Sequence, residues 1–493
     1  MPGDAATPAA TPSVELLTAS DAEDRQRRAA GALLAKGCSR GDRVAFALGS
    51  SADLICAALG AARIGLIPVM LNATLTPAER DELAADAKPA VRVFTPPDLY
   101  DLVHGGIGRP TDLAPHPLTR PMHYTSGTTG TPKGVTTGLW DEATARAVFE
   151  DEAAVWDFDA ADLHMVCSPM YHTVSIRFAG CTLLAGGSLA ILNRFHAATA
   201  LDTLRRHRPT TSFLVPTHLQ RILQHPDLGA DERFDSLRLL AHAGAPCPDT
   251  VKRAIMERVR PGGVWEFYGS TEAQFSVCAP QDWLERPGTV GRARPGRGLH
   301  IVPVTDTESI GTAATDPGAA DPGAEGTIWC DMPDFARFTY WESPEATAAA
   351  WNGSACTVGD VGHVDEDGFL YLTGRRHDLI ISGGVNVYPA EVENVLAAVD
   401  GIAEVAVFGL PDEQWGQRVC AAYVTDGHRP SGRSSSLSSS RIGSSEELLR
   451  AAAAARLAPY KRPKSYFATT DLPHTATGKL MRRAVAQHLG LDA

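Results

Sequence analysis

The sequence predicts an α/β fold with a smaller α+β unit towards its C-terminal end. Helical and strand-like patterns alternate from residue 21 onward, as in β-α-β units built around a parallel sheet. Near Gly326 the pattern changes to short strands joined by Asp/Gly turns, which is typical of antiparallel pairs. Beyond Gly374 helices and apolar strands follow in a compact arrangement that predicts the α+β unit.

The first predicted elements fall within residues 21–75. The helix DAEDRQRRAAGALLAKG ends at Gly37, and a short apolar strand follows over 42–48. The helix SADLICAALGAARIG and a strand over 67–72 complete the first β-α-β rhythm. Residues 1–12, rich in Ala, Pro and Thr, are predicted to form a mobile tail.

The same alternation continues beyond residue 135. Strands are predicted in DLHMVCSPMYH, SLAILN, TTSFLVP and SLRLLAHAGAP, with helices after Thr182 and in AATALDTLRRHR. The C-terminal unit has helices in PAEVENVLAAV and SEELLRAAAAARL and strands in EVAVFGLPD and RVCAAYV. Two Gly/Ser/Pro-rich segments, 305–326 and 431–447, are predicted to be flexible loops.

Composition excludes several classes of protein. The 493 residues, 44% of them hydrophobic, suffice for two or more domains with cores of their own. A net charge of -13 without a basic run makes a nucleic-acid or anionic-membrane partner unexpected. No signal peptide or membrane span is recognisable. Nine single cysteines without a C-x-x-C pair indicate reduced thiols rather than disulfides or a zinc site. We therefore expect a cytoplasmic protein.

The stretch YTSGTTGTPKGV, residues 124–135, is close to a Walker phosphate-binding loop, G-x-x-x-x-G-K-[ST]. It departs from that pattern twice, because Pro132 replaces the second glycine and Gly134 replaces the Ser/Thr after the lysine. The replaced hydroxyl is normally a magnesium ligand. A magnesium nucleotide at this loop therefore needs its protein ligand from elsewhere in the chain.

A second motif, VWEFYGSTEAQ, supplies a candidate for that ligand. It is an apolar strand followed by a glycine turn, two hydroxyl residues and Glu272. The carboxylate of Glu272 is the oxygen ligand that Mg²⁺ prefers. Thr271 can donate to a phosphate oxygen, and Tyr268 can stack on a nucleobase. Alone, the motif is equally consistent with a surface turn; together with the loop, the functional interpretation is favoured.

Two weaker signals follow in the C-terminal part. Asp360, in TVGD, is suited to accept from both hydroxyls of a ribose, and Arg375 can donate to the same sugar or to a phosphate. A surface Asp–Arg pair is the commoner explanation for such residues in isolation. Lys479, in LPHTATGKLMRR, lies on a turn from which it could project into a cleft, although most lysines near a chain end are solvated.

Eight motifs occur in one order along the chain: YTSGTTGTPKGV, SPMYH, AGAPCP, WEFYGSTE, VGD, GRRHDLIISGGVNVYPAEVE, LAPYKRPK and TATGK. From about residue 21 to residue 483 the chain thereby resembles the adenylate-forming superfamily, which includes acyl- and aryl-CoA synthetases, luciferases and the adenylation domains of peptide synthetases. The resemblance implies an N-terminal AMP-binding domain over 1–373, with two α/β sheet subdomains and a distorted β-barrel. It also implies a small mobile α+β domain over 374–493 that carries the catalytic lysine.

The reaction implied by the resemblance has two steps. A substrate carboxylate attacks the α-phosphate of ATP, with Mg²⁺ bound, and a second nucleophile, usually coenzyme A, then captures the acyl-adenylate. Such chemistry needs positioning and charge stabilisation rather than a nucleophilic side chain of the enzyme. No Ser–His–Asp or Cys–His motif is apparent in the sequence.

The resemblance also assigns site residues. The nucleotide contacts implied are Thr125, Ser126, Gly127, Thr128, Thr129, Gly130, Lys133, Gly244, Ala245, Pro246, Glu266, Phe267, Tyr268, Gly269, Ser270, Thr271, Asp360, Arg375 and Lys479. Within this set, the β- and γ-phosphates fall to Ser126, Thr128, Thr129 and Lys133. Glu272 and Thr128 are the implied metal ligands. The implied catalytic residues are Lys133, His172, Thr271, Glu272 and Lys479, with Lys479 acting in the first step only.

The acid-binding region is assigned to Tyr171, His172, Arg177, His242 and Gln274. Relatives that activate amino acids carry an aspartate here to pair with the α-amine, whereas YHTVSIRFAG offers Arg177 and no carboxylate. This favours a plain aryl or medium acyl acid. Arg177 is a candidate anchor for a second acidic group, and a structural role is at least as consistent with its type. The resemblance also places His377 at the domain hinge, where relatives have Asp or Lys, and an opening strand pair before the first helix is not recognisable.

Three hypotheses remain for the capture step. The leading one is an acyl- or aryl-CoA ligase, monomeric or homodimeric; the others are an amide ligase that uses an amine, and a natural-product enzyme that activates nitrite to diazotise an arylamine. A nucleotide-binding protein without catalysis is a fourth interpretation. The presence of Lys133, Glu272, Asp360 and Lys479 speaks against it.

Overall fold

The structure is a computed structural model, and it describes residues 12–125, 132–303, 322–375, 380–382, 385–387, 389–412, 416–426, 439–457, 459, 461–474 and 480–491. The chain forms two compact units. The described residues of unit 1 fall within 12–299 and Cys330–Cys356, and those of unit 2 within 300–303, 322–329 and 357–491. The predicted division at residue 373 stays a prediction.

Strands and helices alternate through most of unit 1. In chain order its first elements are β1 (Val14–Leu17), α1 (Ala19–Ala35), β2 (Arg43–Phe46), α2 (Ala52–Arg63), β3 (Ile67–Met70), α3 (Pro77–Ala87), β4 (Val91–Val93), α4 (Pro96–His104), β5 (Met122–Thr125), β6 (Lys133–Thr136), α5 (Glu142–Trp156) and β7 (Leu163–Val166). They are followed by α6 (Thr173–Leu184), β8 (Ser188–Leu192), α7 (Ala197–Arg206), β9 (Thr211–Leu214), α8 (Pro216–Leu223), β10 (Leu239–His242), α9 (Asp249–Arg258), β11 (Val264–Gly269), β12 (Gln274–Cys278), α10 (Pro280–Glu285) and β13 (Arg292–Ala293).

The next elements of the chain are mostly short strands, with an α-helix among them. They are β14 (Gly298–Pro303), β15 (Gly326–Asp331), β16 (Thr339–Tyr340), α11 (Pro344–Ala350), β17 (Trp351–Asn352), β18 (Ala355–Cys356), β19 (Asp360–Val364) and β20 (Leu370–Arg375). The last elements are β21 (Ile380–Ser382), β22 (Val385–Val387), α12 (Pro389–Ala397), β23 (Ile402–Asp412), β24 (Gly416–Thr425), α13 (Ser439–Arg456), β25 (Ser465–Ala468) and α14 (Val485–His488). Among the described residues no helix is long and apolar enough to cross a membrane.

Two sheets organise unit 1. The first has six strands in the order β16-β6-β5-β3-β2-β4, parallel from β5 to β4 and antiparallel at β5–β6 and β6–β16. The second has eight strands in the order β1-β8-β7-β9-β10-β11-β12-β13 and is parallel from β8 to β11. The predicted α/β fold is confirmed. The first sheet has antiparallel strands at its β16 end, and the second sheet has them at both ends.

The helices between the sheets explain the apolar patterns of the sequence. All residues of α2 except Asp53 are buried, and with α1 and α6 the helix contributes to one core that also includes side chains of β2 and β8. A helix that is apolar on every side belongs in such an interior position. The parallel strand β3 is likewise buried at all four residues, as expected for a strand covered on both faces. Shortening a core residue such as Leu54 to alanine would cost about 2–5 kcal/mol.

Unit 2 has the antiparallel and α+β character predicted from the sequence. β19 and β20 form an antiparallel pair, and Gly326 and Thr327 of β15 pair with β19. The C-terminal part contains a sheet in which the long strands β23 and β24 pair antiparallel, with β25 parallel to β24. Helices α12 and α13 pack on this sheet around a core that includes Val392, Leu449 and Tyr423.

Three predicted details were wrong. The helix placed after Thr182 begins at Thr173 and includes Thr182. The strand β1 precedes the first helix and was not predicted; it pairs with β8. Residues 439–447 of the second predicted loop belong to α13. The predicted tail except residue 12, and residues 305–321 of the first predicted loop, lie outside the described residues.

Candidate active site

The phosphate-binding motif spans an antiparallel hairpin. Strand β5 ends at Thr125 and β6 begins at Lys133, and these two residues are paired in the register. The hydroxyl of Thr125 donates to the carbonyl oxygen of Lys133 at 3.4 Å. The intervening residues 126–131, with the predicted ligands Ser126, Gly127, Thr128, Thr129 and Gly130, lie outside the described residues. The hairpin thus fixes both ends of the loop.

Gly134 shows why this motif lacks the Walker hydroxyl. A Cβ at this position would collide with the Met122 side chain and come within 3.2 Å of Trp341 Cβ and 3.4 Å of the Tyr124 ring. Neighbouring residues of a strand point to opposite faces of the sheet. A side chain at 134 would therefore enter the packed face of the sheet and not the face that carries the Lys133 side chain.

The second predicted motif forms the turn between β11 and β12. Gly269 and Gln274 are the last register pair before the turn, and Thr271 and Glu272 lie within it. Two backbone N–H groups donate hydrogen bonds inside the turn: Ser270 N to the Ala273 carbonyl oxygen at 2.8 Å, and Glu272 N to the Ser270 side-chain Oγ at 3.2 Å. The turn therefore presents Thr271 and Glu272 side by side at the end of a central strand.

Arg120 fixes this turn from the segment that leads into β5. Its guanidinium donates to the carbonyl oxygens of Thr271 and Glu272, at 3.0 and 3.3 Å. Burial and the neighbouring Arg177 lower the pKa of Arg120 to about 10, which still leaves it charged at neutral pH. Arg120 was not predicted from the sequence. It connects the segment before β5 to the turn after β11.

Tyr340 is a second residue that sequence analysis missed. Its hydroxyl donates to Glu272 Oε1 at 2.9 Å, and the Lys133 Nζ lies 5.3 Å from the centre of its ring. Strand β16 brings Tyr340 to this place by pairing antiparallel with β6, where Tyr340 lies opposite Val135. The cation of the first motif and the carboxylate of the second therefore share one side of unit 1.

The donor set at Glu272 fits magnesium. Mg²⁺ is usually held by one or two carboxylates together with substrate phosphates. Glu272 is 7% exposed, and within the described part of the chain its carboxylate accepts a hydrogen bond from Tyr340 alone. Across the described ranges no three His, Cys, Asp or Glu side chains form a metal cage. A magnesium ion here would share its coordination between Glu272 and a nucleotide.

The predicted adenine contacts lie at the ends of β10 and β11. Gly244 has a φ of +89°, a conformation that glycine adopts without strain, and residues 244–246 are exposed. Tyr268 is buried and packs edge-on against Phe275, with ring centres 5.5 Å apart. Phe267, by contrast, points into an aromatic core with Trp156 and Phe178. A nucleotide contact by Phe267 would have to come from its backbone.

The side chains of Lys252, Glu266 and His242 form a buried charge cluster at β10 and β11. Lys252 of α9 is 1% exposed and forms an ion pair with Glu266 of β11. Burial raises the pKa of the Glu266 carboxyl. His242 of β10 lies with its Nδ1 3.9 Å from Glu266, and burial together with Lys252 lowers its pKa well below the usual value. At neutral pH the cluster is therefore one ion pair beside a neutral histidine.

The predicted acid-site residues Tyr171 and His172 precede α6. Their rings lie 4.5 Å apart, and His172 is the N-cap residue of that helix. Burial lowers the pKa of His172 to about 4. The Nδ1–H of the buried His123 donates to the Tyr171 carbonyl oxygen at 2.8 Å, and burial lowers the pKa of His123 to about 3. Both imidazoles are neutral at physiological pH, so neither supplies a cation to a substrate carboxylate.

Arg177 belongs to a buried network. Its guanidinium donates to Glu152 Oε1 at 3.4 Å and to Gln274 Oε1 at 3.0 Å. Arg294, which is 1% exposed, donates to the same two oxygens at 3.1 and 3.0 Å and also pairs with Asp151. These partners favour the structural role for Arg177 over the anchor for a second acidic group.

Unit 2 contains the remaining predicted nucleotide contacts. Asp360 is the first residue of β19 and Arg375 the last of β20, and the two are register partners. The sheet therefore brings the two predicted ribose ligands next to each other. Lys479 and the hinge candidate His377 lie outside the described residues.

Comparisons with known proteins find relatives along nearly the whole chain. The family model "AMP-binding enzyme" matches residues 4–105 and 119–340, and "AMP-binding enzyme C-terminal domain" matches residues 391–479. A feruloyl-CoA synthase from Amycolatopsis sp is 32% identical, over 96% of this chain and 94% of the relative. ATP-bound MatB from Rhodopseudomonas palustris is 27% identical, with a TM-score of 0.78 over 95% of this chain and 93% of that one. The amide bond synthetase McbA from Marinactinospora thermotolerans is 28% identical, with a TM-score of 0.78 over 95% and 94%.

The family models cover both the hairpin and the Glu272 turn, and extend to Tyr340. The two solved structures reproduce the fold over nearly the whole chain. The two family models match one after the other along the chain, and the feruloyl-CoA synthase is similar over nearly its whole length. This chain therefore belongs to the AMP-binding enzymes of the adenylate-forming superfamily.

Proposed function

We propose that the protein uses ATP and Mg²⁺ to convert an aryl or medium acyl carboxylic acid to its adenylate and then transfers the acyl group to coenzyme A. One observation carries this proposal: the Tyr340 hydroxyl lies 2.9 Å from Glu272 Oε1, and the centre of the Tyr340 ring lies 5.3 Å from Lys133 Nζ. An ammonium for phosphate and a carboxylate for a metal thus lie together beside the ends of a phosphate-binding loop.

In the first step the substrate carboxylate bonds to the α-phosphorus, and the bond to the bridging oxygen of the β-phosphate breaks. Pyrophosphate leaves with its charge, which Lys133 and the loop donors at 126–130 stabilise. Thr271, held by Arg120 through its carbonyl, donates to the α-phosphate. Magnesium, bound at Glu272, would neutralise phosphate charge. Each fixed hydrogen-bond donor of this kind raises the reaction rate by a factor of roughly 10²–10³.

A role for Lys479 is supported by the lack of a free cation among the acid-site residues that the structure describes. His172 and His123 carry no charge at neutral pH, and Arg177 is occupied by Glu152 and Gln274. The attacking carboxylate therefore takes its cation from Lys479, on the mobile domain that we place at residues 374–493. Asp360 and Arg375 would bind the ribose.

In the second step the thiol sulfur of CoA bonds to the acyl carbonyl carbon, AMP leaves, and the thiol proton passes to the AMP phosphate or to solvent. Support for CoA comes from the relative named feruloyl-CoA synthase, whose acid is aromatic. An amide-forming ligase is the second candidate, because the amide bond synthetase McbA has the same fold over 95% of this chain. In that case an amine attacks the carbonyl carbon in place of the thiol.

A product survey tests the proposal. Purified protein is incubated with ATP, Mg²⁺ and a library of aryl and medium acyl acids, with CoA, an amine panel, or nitrite with an arylamine. Mass spectrometry should find AMP, pyrophosphate and an acyl-CoA in the CoA arm. Amides formed faster than thioesters would support the second candidate. AMP release that needs nitrite and no organic acid would refute acid activation.

The assignment of Lys479 to the first step has its own test. In Lys479→Ala the rate of adenylate formation should fall by a factor of roughly 10²–10³, because the ammonium contacts charge that develops in the transition state. The variant should still convert a supplied acyl-adenylate and CoA to thioester at the wild-type rate. Equal losses from the supplied adenylate and from ATP plus acid would show that Lys479 is not confined to the first step.

A further inference from the structure

Tyr340 makes two contacts with the nucleotide-binding machinery, and they differ in chemistry. The hydroxyl donates a hydrogen bond to the Glu272 carboxylate at 2.9 Å. The ring face carries the Lys133 ammonium at 5.3 Å, within the range of a cation–π interaction. The half-buried phenol therefore joins the two charged groups through two separate parts of one side chain.

The geometry has a consequence for the carboxylate. Within the described part of the chain, no ion pair joins Lys133 to Glu272, and the phenol is the group that contacts both. A direct pair would neutralise each charge and orient both away from a ligand. A carboxylate has about four acceptor positions, so the bond to Oε1 fixes the side chain and leaves acceptor capacity for a cation. A neutral linker thus preserves both charges for a bound nucleotide.

The backbone holds the linker firmly. Tyr340 lies on β16 opposite Val135 of β6, and Trp341 N donates to Gly134 O at 2.7 Å. The sheet therefore sets the position of Glu272 relative to Lys133 through one residue of the edge strand.

We propose that Tyr340 is a positioning residue for magnesium–nucleotide binding, orienting the Glu272 carboxylate through its hydroxyl and the Lys133 ammonium through its ring. The inference rests on the proposed function, because it assumes that Glu272 binds the metal. Groups that orient a metal ligand typically contribute about 10–100-fold to metal affinity. Tyr340 acts through Glu272 and Lys133 and need not touch the substrate.

Two substitutions separate the two contacts. Tyr340→Phe removes the hydroxyl and keeps the ring, whereas Tyr340→Leu removes both. Calorimetry measures ATP binding in Mg²⁺ and in EDTA, and electron paramagnetic resonance measures Mn²⁺ binding in the presence of ATP. Tyr371→Phe, which removes a phenol hydroxyl 3.4 Å from the Asp365 carboxylate, is the chemically matched control. Melting temperatures establish that each variant is folded.

Tyr340→Phe should weaken Mn²⁺ binding and the metal-dependent part of ATP affinity by about 10–100-fold, with ATP affinity in EDTA within twofold of wild type. Tyr340→Leu should weaken ATP binding in EDTA as well, because Lys133 loses the ring. In a Glu272→Gln background, Tyr340→Phe should have no further effect on Mn²⁺ binding, since the hydroxyl acts through the carboxylate.

The outcomes distinguish this inference from the proposed function. Wild-type protein that binds ATP equally with and without metal would refute a metal site at Glu272. Metal-dependent binding in wild type that Tyr340→Phe leaves unchanged would overturn the role of Tyr340 alone. An equal effect of Tyr340→Phe in the Glu272→Gln background would also overturn it, because a purely structural residue acts whether or not the carboxylate is present. Should Tyr340→Leu fail to fold, Tyr340→Phe and the double variant decide.

Discussion

Lys252→Met should destabilise unit 1, because it leaves the Glu266 carboxylate buried without its partner. Lys252 is 1% and Glu266 7% exposed, so water cannot replace the lost ion pair. Removing one partner of a buried pair costs about 3–5 kcal/mol. Methionine keeps most of the lysine stem over Trp283, so the loss of charge dominates. At about 2 °C for each kcal/mol in a unit of this size, the melting temperature at pH 7 should fall by roughly 6–10 °C.

The stability lost in Lys252→Met should depend on pH. Burial already raises the pKa of Glu266, and loss of Lys252 removes the charge that opposes this shift. Between the unfolded pKa of about 4.3 and the raised folded pKa, the folded variant binds a proton that the unfolded chain does not. Stability of the variant then falls as pH rises, and its deficit relative to wild type should shrink from pH 7 to pH 5.

Scanning calorimetry at pH 5, 6 and 7 measures both effects, with each variant compared with wild type at the same pH. The control is Lys252→Met combined with Glu266→Gln, which removes both charges and should recover much of the lost stability. A fall of less than 2 °C at pH 7, or a deficit that is the same at pH 5 and pH 7, would refute the assignment of Lys252 and Glu266 as a buried, mutually dependent pair.

Three further predictions concern other parts of the chain. Gly134→Ser should lower stability by about 1–3 kcal/mol in thermal unfolding, because the side chain collides with Met122, and should not strengthen Mg²⁺ binding. Arg120→Met should weaken binding of magnesium–ATP in calorimetry by about tenfold, because two turn carbonyls lose their donor; unchanged affinity would mean that the turn holds itself. All nine cysteines are free and eight are buried, with Cys247 partly exposed and its pKa raised by burial to about 12, so a thiol reagent should titrate nine thiols in denaturant and at most one, slowly, in the native protein.

The alternating elements were predictable because their apolar periods are simple. The strand predicted at 67–72 is apolar as far as Leu71, and the structure has β3 at Ile67–Met70. The helix α6 was misplaced because Val174, Ile176 and Phe178 are poor helix formers, and burial of this segment overrides their preference. Strand β1 has four residues and finds its partner in β8, a long-range pairing that no local pattern reveals.

The start of α13 has a local explanation. Composition predicts a flexible loop at the serines 439–440, but a run rich in Leu and Ala follows at 448–457. Alanine and leucine are strong helix formers, and each serine costs only about 0.5 kcal/mol relative to alanine. A helix formed by the later residues can therefore extend back through the serines, and composition alone does not mark where it stops.

The candidate site was predictable where its residues are adjacent in sequence and not where they meet through folding. Thr271 and Glu272 follow a readable strand-and-turn pattern, and Lys133 lies in a near-Walker motif. Arg120 reaches the same turn across 152 residues, and Tyr340 reaches Glu272 across 68. Neither carries a distinctive spacing. Only the order of strands in the sheet, with β16 beside β6, brings Tyr340 to the site.

The missing Walker hydroxyl follows from the same sheet. In a Walker motif the loop leads into a helix, and the lysine and hydroxyl extend from its first turn. Here the loop leads into the strand β6, where Lys133 and residue 134 face opposite sides and the second side is filled by Met122 and Trp341. No residue at 134 could serve a metal beside Lys133. The carboxylate has to come from another strand end, and the turn after β11 supplies it as Glu272. Because lysine and carboxylate then belong to different strands, something must set their spacing, and Tyr340 on the neighbouring edge strand is the residue that contacts both.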